Sequence, residues 1–262
     1  KLGVITYSYR SMTDQSVEAI LDYTAKVGIT SLELMGGPVE AYAGIPKTRD
    51  ADTLKQWRTS VSMDKFKEID AMFKAKGIAI DILKLGSHRW SDEEIDYAFE
   101  VCKILGAKGI TMEISKEAGK RMAPFAVKHD KYVIFHNHGQ PADPEFSFDS
   151  VLVLGKKLML NLDIGHYYGY TGLNPAKVVE RLHDRIINLH IKDKTAPTDS
   201  IPNKNMPFGE GGTPITEVLQ LIKENNWPII ADIELEYEVP ENSDAVQEVA
   251  KCFAYCKEAL MD

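Results

Sequence analysis

Four short stretches of this chain end in side chains of the kinds that hold metal ions: FHNHG at 135–139, NLDIGH at 161–166, NLHIKD at 188–193 and DIELEYE at 232–238. Histidine nitrogens and carboxylate oxygens in one site form a mixed donor set, suited to manganese, zinc, cobalt or iron rather than calcium. An ion held there with an open coordination position would act as a Lewis acid toward a carbonyl oxygen. The stretches lie far apart in sequence, so this chemistry needs a fold that gathers them.

Alternate side chains of a strand face the same way. Asn161 and Asp163 therefore share a face with His166 just past the end, and Asn188, His190 and Lys192 share another. Asp232, Glu234 and Glu236 share a third, and His136 and His138 face together with Asn137 opposite. Inward polar groups in succession need partners, because unpaired buried charge is expensive. For one strand alone, carboxylates turned toward helices or solvent explain the pattern equally well, and a strand histidine is more often structural than a ligand. Asp163 and His166 could also simply hydrogen-bond each other. Four strands with the same habit favour one shared site.

The elements that would position them alternate along the whole chain. Strand-like runs at 2–8, 31–35, 78–85, 109–115, 132–137, 158–163, 187–192 and 229–236 are separated by amphipathic, helix-like ones. In AKVGITSLEL, AKGIAIDIL and LGAKGITMEI a helix stops at glycine and a β-branched strand follows at once. Helices are expected at 14–27 capped by Thr13, at 91–105 with a Ser91/Glu94 capping box, at 213–226 with Thr213 before Pro214, and at 243–260 opened by Ser243. Segments 36–63 and 194–213 read as long rim loops, the first a flap or extra helix. Eight βα units without a linker predict an α/β fold, a single (β/α)₈ TIM barrel over 1–262, with the strand C-termini at one rim. A doubly wound sheet would want a glycine-rich loop after the first strand, and Tyr7-Ser8-Tyr9-Arg10 offers none.

At 262 residues, a net charge of −8 and a pI near 5.5, the chain suits an acidic enzyme with a small-molecule substrate. Nucleic-acid binding rests on clustered cations and is not expected. No apolar run reaches the length of a membrane span, so no membrane partner is expected. Cys102, Cys252 and Cys256 are an odd number and read as core thiols. A cytoplasmic location is expected, or a periplasmic one if a targeting segment precedes Lys1; a homo-oligomer is left open.

The Gly-x-x-x-x-Glu-Leu phrase at 28–34, the HNH run, DIGH, HIKD, FGEGG at 208–212 and IELEYE follow one another in an order that resembles the xylose isomerase-like barrel superfamily. That group contains sugar and sugar-phosphate isomerases and epimerases and also endonuclease IV, and the shared phrases span nearly the whole chain. The resemblance implies a divalent ion, manganese first and zinc, cobalt or magnesium as alternatives. It implies Asp163, His190 and Glu234 as metal ligands, with Glu236 one alternation away, and His166 as a contact to substrate hydroxyls. Family epimerases carry a glutamate at the end of the fifth strand. The matching residue here is His136, read as the fourth ligand, so the usual pair of acid/base glutamates is incomplete.

On that basis the expected reaction is isomerisation or epimerisation of a small sugar, keto-sugar or sugar phosphate through an enediolate, with Glu234 as base. Glu113, Lys84, His138, His166 and Lys192 remain as second proton handlers, and Glu33, His138 and Trp90 as walls of the substrate pocket. Glu33 could equally anchor the rim, and Trp90 could cover the next helix. The FGEGG loop could fold over the substrate or be a plain turn. Rival readings are a keto-sugar lyase or dehydratase and a non-catalytic sugar-binding barrel. A DNA-repair endonuclease would need more metal ligands and a basic face.

Overall fold

Runs of β-branched and apolar residues leave eight short stretches that can satisfy their backbone only by pairing with one another. The computed structural model describes residues 1–261. In it Leu2–Ile5 (β1), Ser31–Met35 (β2), Ala79–Lys84 (β3), Gly109–Glu113 (β4), Tyr132–His136 (β5), Leu158–Asp163 (β6), Ile186–Ile191 (β7) and Ile230–Ile233 (β10) run parallel and close into a barrel. The circuit is β1-β10-β7-β6-β5-β4-β3-β2, and β2 pairs back onto β1. Asp193–Lys194 (β8) and Asn205–Met206 (β9) form a small antiparallel hairpin beyond β7. This is the single (β/α)₈ barrel expected from the alternation.

Eleven helices surround it: Val17–Val27 (α1), Gly36–Tyr42 (α2), Ala51–Arg58 (α3), Asp64–Ala75 (α4), Asp92–Ile104 (α5), Lys116–His129 (α6), Phe148–Leu152 (α7), Ile164–Thr171 (α8), Ala176–Leu182 (α9), Ile215–Glu224 (α10) and Ala245–Ala259 (α11). Most of them bury an apolar stripe, and α3 alone has no buried residue. In α10 the stripe is Ile215, Val218, Leu219 and Ile222, and in α11 it includes Val249, Cys252 and Cys256. The three cysteines are buried and unpaired, and burial pushes the Cys102 and Cys252 thiols up to about 12, so they stay protonated core groups. Among the described residues no helix is long and apolar enough to cross a membrane.

The Ser91/Glu94 capping box forms as expected. Other caps shift by a few residues. Ser16, not Thr13, caps α1, and Asp244, not Ser243, caps α11, because these side chains reach the amide of the third helical residue. Thr213 does not cap α10; its hydroxyl instead accepts from the Lys194 amide. The first strand stops at Ile5, where a 3-10 turn over Thr6–Tyr9 turns the Ser8 hydroxyl onto β10 to bond Ile233 O and Leu235 N. Segment 36–63 carries α2 and α3. Arg58 of α3 fastens it through Glu40 Oε1 at 2.8 Å and Glu94 Oε1 at 3.1 Å.

Gly3 is where the barrel interior leaves no room for a side chain. A Cβ there would lie 2.9 Å from Ser31 O and overlap Asp232 Oδ1. Gly3→Ala should therefore cost about 1–3 kcal/mol, the usual range for overpacking a core. Urea unfolding measures it, and an unchanged midpoint would show that the interior relaxes.

Candidate metal centre

β5, β6, β7 and β10 are neighbours in the barrel, so their C-terminal ends share one sector of the rim. The register sets Asp163 beside His190 and His190 beside Asp232. Asp163 also caps α8, accepting the His166 amide on Oδ1 at 2.7 Å, which fixes the direction of Oδ2. Asn137, fully buried, clamps the Asp163 backbone from both sides, donating to its carbonyl and accepting from its amide. The outcome is a buried group of His136, Asp163, His190 and Glu234 whose ligand atoms all lie within 4.8 Å of one another.

Each histidine is held between two carboxylates. Nε2 of His190 faces Glu33 Oε2 at 2.9 Å from below, which leaves Nδ1 turned to Glu234 Oε2 at 2.8 Å. Nδ1 of His136 faces Glu113 Oε1 at 3.3 Å, which leaves Nε2 turned to Asp163 Oδ2 at 3.2 Å. An outer carboxylate that binds one ring nitrogen sets the tautomer and aims the other, as around metal-bound histidines. Burial disfavours the charged imidazolium. The flanking carboxylates outweigh it, so both rings sit above the usual histidine range, His190 far above.

The centre already contains one cation. Lys192 is 2% exposed, and its Nζ lies 2.8 Å from Asp163 Oδ2, 2.7 Å from Glu234 Oε2 and 2.9 Å from Glu236 Oε2. Burial would raise both inner carboxyls. The Lys192 ammonium outweighs it and holds Asp163 and Glu234 well below the usual range. The Lys192 ammonium and the two raised imidazoles are set among five carboxylates in and around the cluster: Glu33, Glu113, Asp163, Glu234 and Glu236. His190 Nδ1 and Glu234 Oε2 face each other at 2.8 Å without a well-directed hydrogen bond between them. The donor set and its excess of negative charge fit a divalent cation, provided Lys192 yields the two oxygens it now holds.

Beneath the cluster the barrel is lined with polar groups. Asn188 Nδ2 donates to Asp232 Oδ2 at 2.9 Å and to Asn161 Oδ1 at 3.1 Å, and Asn161 Nδ2 donates to Glu33 Oε2 at 2.9 Å. Burial, with the nearby Glu33 charge, pushes the Asp232 carboxyl well above its ordinary range.

The structure brings His136, Asp163, His190, Glu234, Lys192 and His166 together. Ring nitrogen Nε2 of His166 lies 3.9 Å from Asp163 Oδ2 and 3.8 Å from Glu236 Oε2. Burial lowers its pKa to about 3, so this ring is neutral. His138 stands half-exposed beside it, with ring centroids 4.6 Å apart. Three further candidates take the following places. Glu33 is completely buried under His190. Glu113, expected to move protons, stands on the outer side of His136, bonded to His136 and His138 and 3.5 Å from Lys84 Nζ. Trp90 belongs to the helix layer: its ring stacks 4.0 Å from the Arg58 guanidinium and its carbonyl accepts from Arg121.

The FGEGG loop is fastened rather than free. Asp193 Oδ2 accepts from the amides of Gly209 and Gly211 at 2.8 and 3.0 Å, and Oδ1 from Thr213 at 3.0 Å. A groove of ≈ 360 Å³ beside the cluster is lined by Ser8, Arg10, Leu235, Glu236 and Tyr237. A larger hollow of ≈ 490 Å³ lies at the other end of the barrel, near Lys1 and Trp227, and among the described residues no histidine or carboxylate side chain lines it. Glu236, expected as an alternative to Glu234, instead joins it through Lys192. Lys194, two residues past Lys192, is not among the candidates read from the sequence although it shares the same alternation.

The sequence model described as xylose isomerase-like TIM barrel matches residues 21–256. Among curated proteins no sequence matches this chain. Among solved structures, a xylose isomerase domain protein from Alicyclobacillus acidocaldarius is 14% identical, with 100% of each chain covered and a TM-score of 0.71. The protein described as the probable 3-DHS dehydratase AsbF from Bacillus anthracis is 16% identical, with 97% of this chain and 98% of that one covered and a TM-score of 0.66. A sugar phosphate isomerase/epimerase from Parabacteroides distasonis is 19% identical, with 97% and 92% covered and a TM-score of 0.64. At these identities the likeness is one of fold.

Because Lys192 is the ammonium shared by three carboxylates, Lys192→Met should destabilise the chelator-treated protein by about 3–5 kcal/mol, the cost of removing one partner from a buried charge cluster. Guanidinium unfolding in excess chelator reads this directly. A loss under about 1 kcal/mol would mean that the histidines alone balance the carboxylates.

Proposed function

Because this chain belongs to the xylose isomerase-like TIM-barrel family, we propose that it is a divalent-metal-dependent isomerase or epimerase of a small sugar, keto-sugar or sugar phosphate. The observation that carries the reading is the convergence of His136, Asp163, His190 and Glu234 within 4.8 Å at the C-terminal rim, where barrel enzymes place their chemistry. These four side chains would hold the ion, manganese first and zinc, cobalt or magnesium as alternatives. When bound, such an ion supplies Lewis acidity that steadies negative charge on a sugar carbonyl oxygen.

The chain's own groups do the rest. Glu33 and Glu113 orient His190 and His136. The Glu234 carboxylate is the base that takes the proton from the carbon beside the carbonyl, and Glu236 keeps Lys192 paired when it withdraws. Of the proton handlers considered from sequence, Glu113 and Lys84 are committed behind His136. The Lys192–Glu236 pair, 2.9 Å apart, is the better placed group to return the proton. Return to the neighbouring carbon isomerises, and return to the opposite face epimerises. His166 and His138 offer ring nitrogens to sugar hydroxyls, and the groove beside Glu236 is within the size range of small-molecule sites.

A second reading is a lyase or dehydratase that uses the same first proton transfer. His136 stands where family epimerases carry a glutamate, which leaves one inner carboxylate base, and a dehydratase is among the structural neighbours. A panel of ketoses and keto-acids in deuterated water with manganese separates the two. Exchange beside the carbonyl with carbon retained supports isomerisation, and loss of water with a new double bond supports the lyase. Exchange that persists in full after chelation removes the metal from the proposal.

Two variants refine the reading. Glu234→Gln should lower proton exchange about 10²–10⁴-fold while some manganese binding survives on the amide oxygen; wild-type exchange would exclude Glu234 as base. Glu33→Gln should weaken manganese binding about 10–100-fold by calorimetry, since the carboxylate no longer orients His190. An unchanged isotherm would reduce Glu33 to a packing role.

A further inference from the structure

Two lysines enter the rim from the same strand extension, and they are treated differently. Lys192 and Lys194 pass along one face of α8 at positions where that helix has no side chain. A Cβ on Gly165 would overlap Lys192 Cγ, and one on Gly169 would lie 2.9 Å from Lys194 Cε. The four-residue spacing of these glycines on the helix matches the two-residue spacing of the lysines on the strand. Lys192 is neutralised by three carboxylates. Lys194, 3% exposed, has one acceptor, the neutral side-chain oxygen of Asn205 at 2.7 Å, and among the described residues it forms no ion pair.

A buried ammonium without a counter-charge is expensive unless something supplies one. The surroundings show where it would come from. His166, one helical turn before Gly169, is 7% exposed, and neither of its ring nitrogens has a hydrogen-bond partner among the described residues. The unpartnered His166 ring thus stands on the same side of the cluster as Lys194, the one of the two lysines without a paired carboxylate.

We propose that Lys194 and His166 form a subsite for an anionic group, a carboxylate or a phosphate, carried by the sugar. The inference rests on reading this rim as the sugar site, and it narrows the substrate class to acidic or phosphorylated sugars. Lys194 supplies the charge and His166 a ring N–H, while Lys192 stays with Asp163, Glu234 and Glu236. Charge-assisted hydrogen bonds to a desolvated anion are among the stronger polar contacts, so the discrimination should be large.

The test is calorimetric binding of D-fructose 6-phosphate, D-fructuronate and neutral D-fructose to the full chain, as wild type, Lys194→Met and Lys194→Arg. A manganese isotherm and a thermal melt are recorded on each sample. Wild type should bind at least one of the two anions about tenfold more tightly than D-fructose, and which one it is identifies phosphate or carboxylate as the source. Lys194→Met should lose that preference, and Lys194→Arg should keep part of it. Equal affinity for all three sugars in wild type, failure to bind either anion, or a preference that survives Lys194→Met overturns the proposal. A lowered melting temperature with unchanged preference makes Lys194 a structural tie to Asn205, which also overturns it. Absent manganese binding alongside an intact anion preference would sink the metal reading and leave the subsite standing.

Discussion

Glu33 is a carboxylate with no exposure to solvent, seated in the middle of a barrel, and the upper half of the interior is arranged around that fact. A buried carboxylate without partners would cost several kcal/mol. Here it accepts from His190, Asn161 and Asn188. Bonding His190 Nε2 turns Nδ1 upward to Glu234 Oε2, and Glu234 shares Lys192 with Asp163. The metal-type cluster is therefore one end of a column of polar contacts through the barrel. Asp232 and the side-chain-free position at Gly3 lie at the lower part of the same column.

The same arrangement sets a contest at the centre. The Lys192 ammonium occupies two oxygens, Asp163 Oδ2 and Glu234 Oε2, of the side chains that would hold a divalent ion. Lys192 can leave them without losing all pairing because Glu236 extends the carboxylate row by one alternation. A tethered cation of this kind keeps the carboxylates from repelling one another in the metal-free protein. Any metal loading would then be an exchange of partners rather than the filling of a bare site.

Much of this was legible before any coordinates. Strand periodicity and glycine-stopped helices imply eight parallel strands, and a parallel barrel sends the ends of FH, NLD, NLH and DIE to one rim. His136, Asp163, His190 and Glu234 meet for that reason. What was not legible depends on contacts distant in sequence. Glu33 lies in the middle of β2, and only the closing of the barrel places His190 of β7 above it. Trp90 follows a strand, yet Arg58, from a segment read as a loop, draws it into the helix layer. Glu113 reads as a free carboxylate until His136 and His138 are placed on either side of it. Caps moved from Thr13 to Ser16 and from Ser243 to Asp244 because neighbouring polar residues compete for the same amides.

Asp193 binds the amides of Gly209, Gly211 and Thr213, which freezes the one rim segment whose glycines suggested a closing lid. Arg58 fastens the other long segment to α5. With both sides of the mouth fixed, ligand recognition resembles fitting an object into a rigid cup. The entropy of ordering these loops is lost once, when the chain folds, and does not recur at each binding event. The heat-capacity change on binding then reflects surface removed from water at the contact itself, with little added by protein rearrangement.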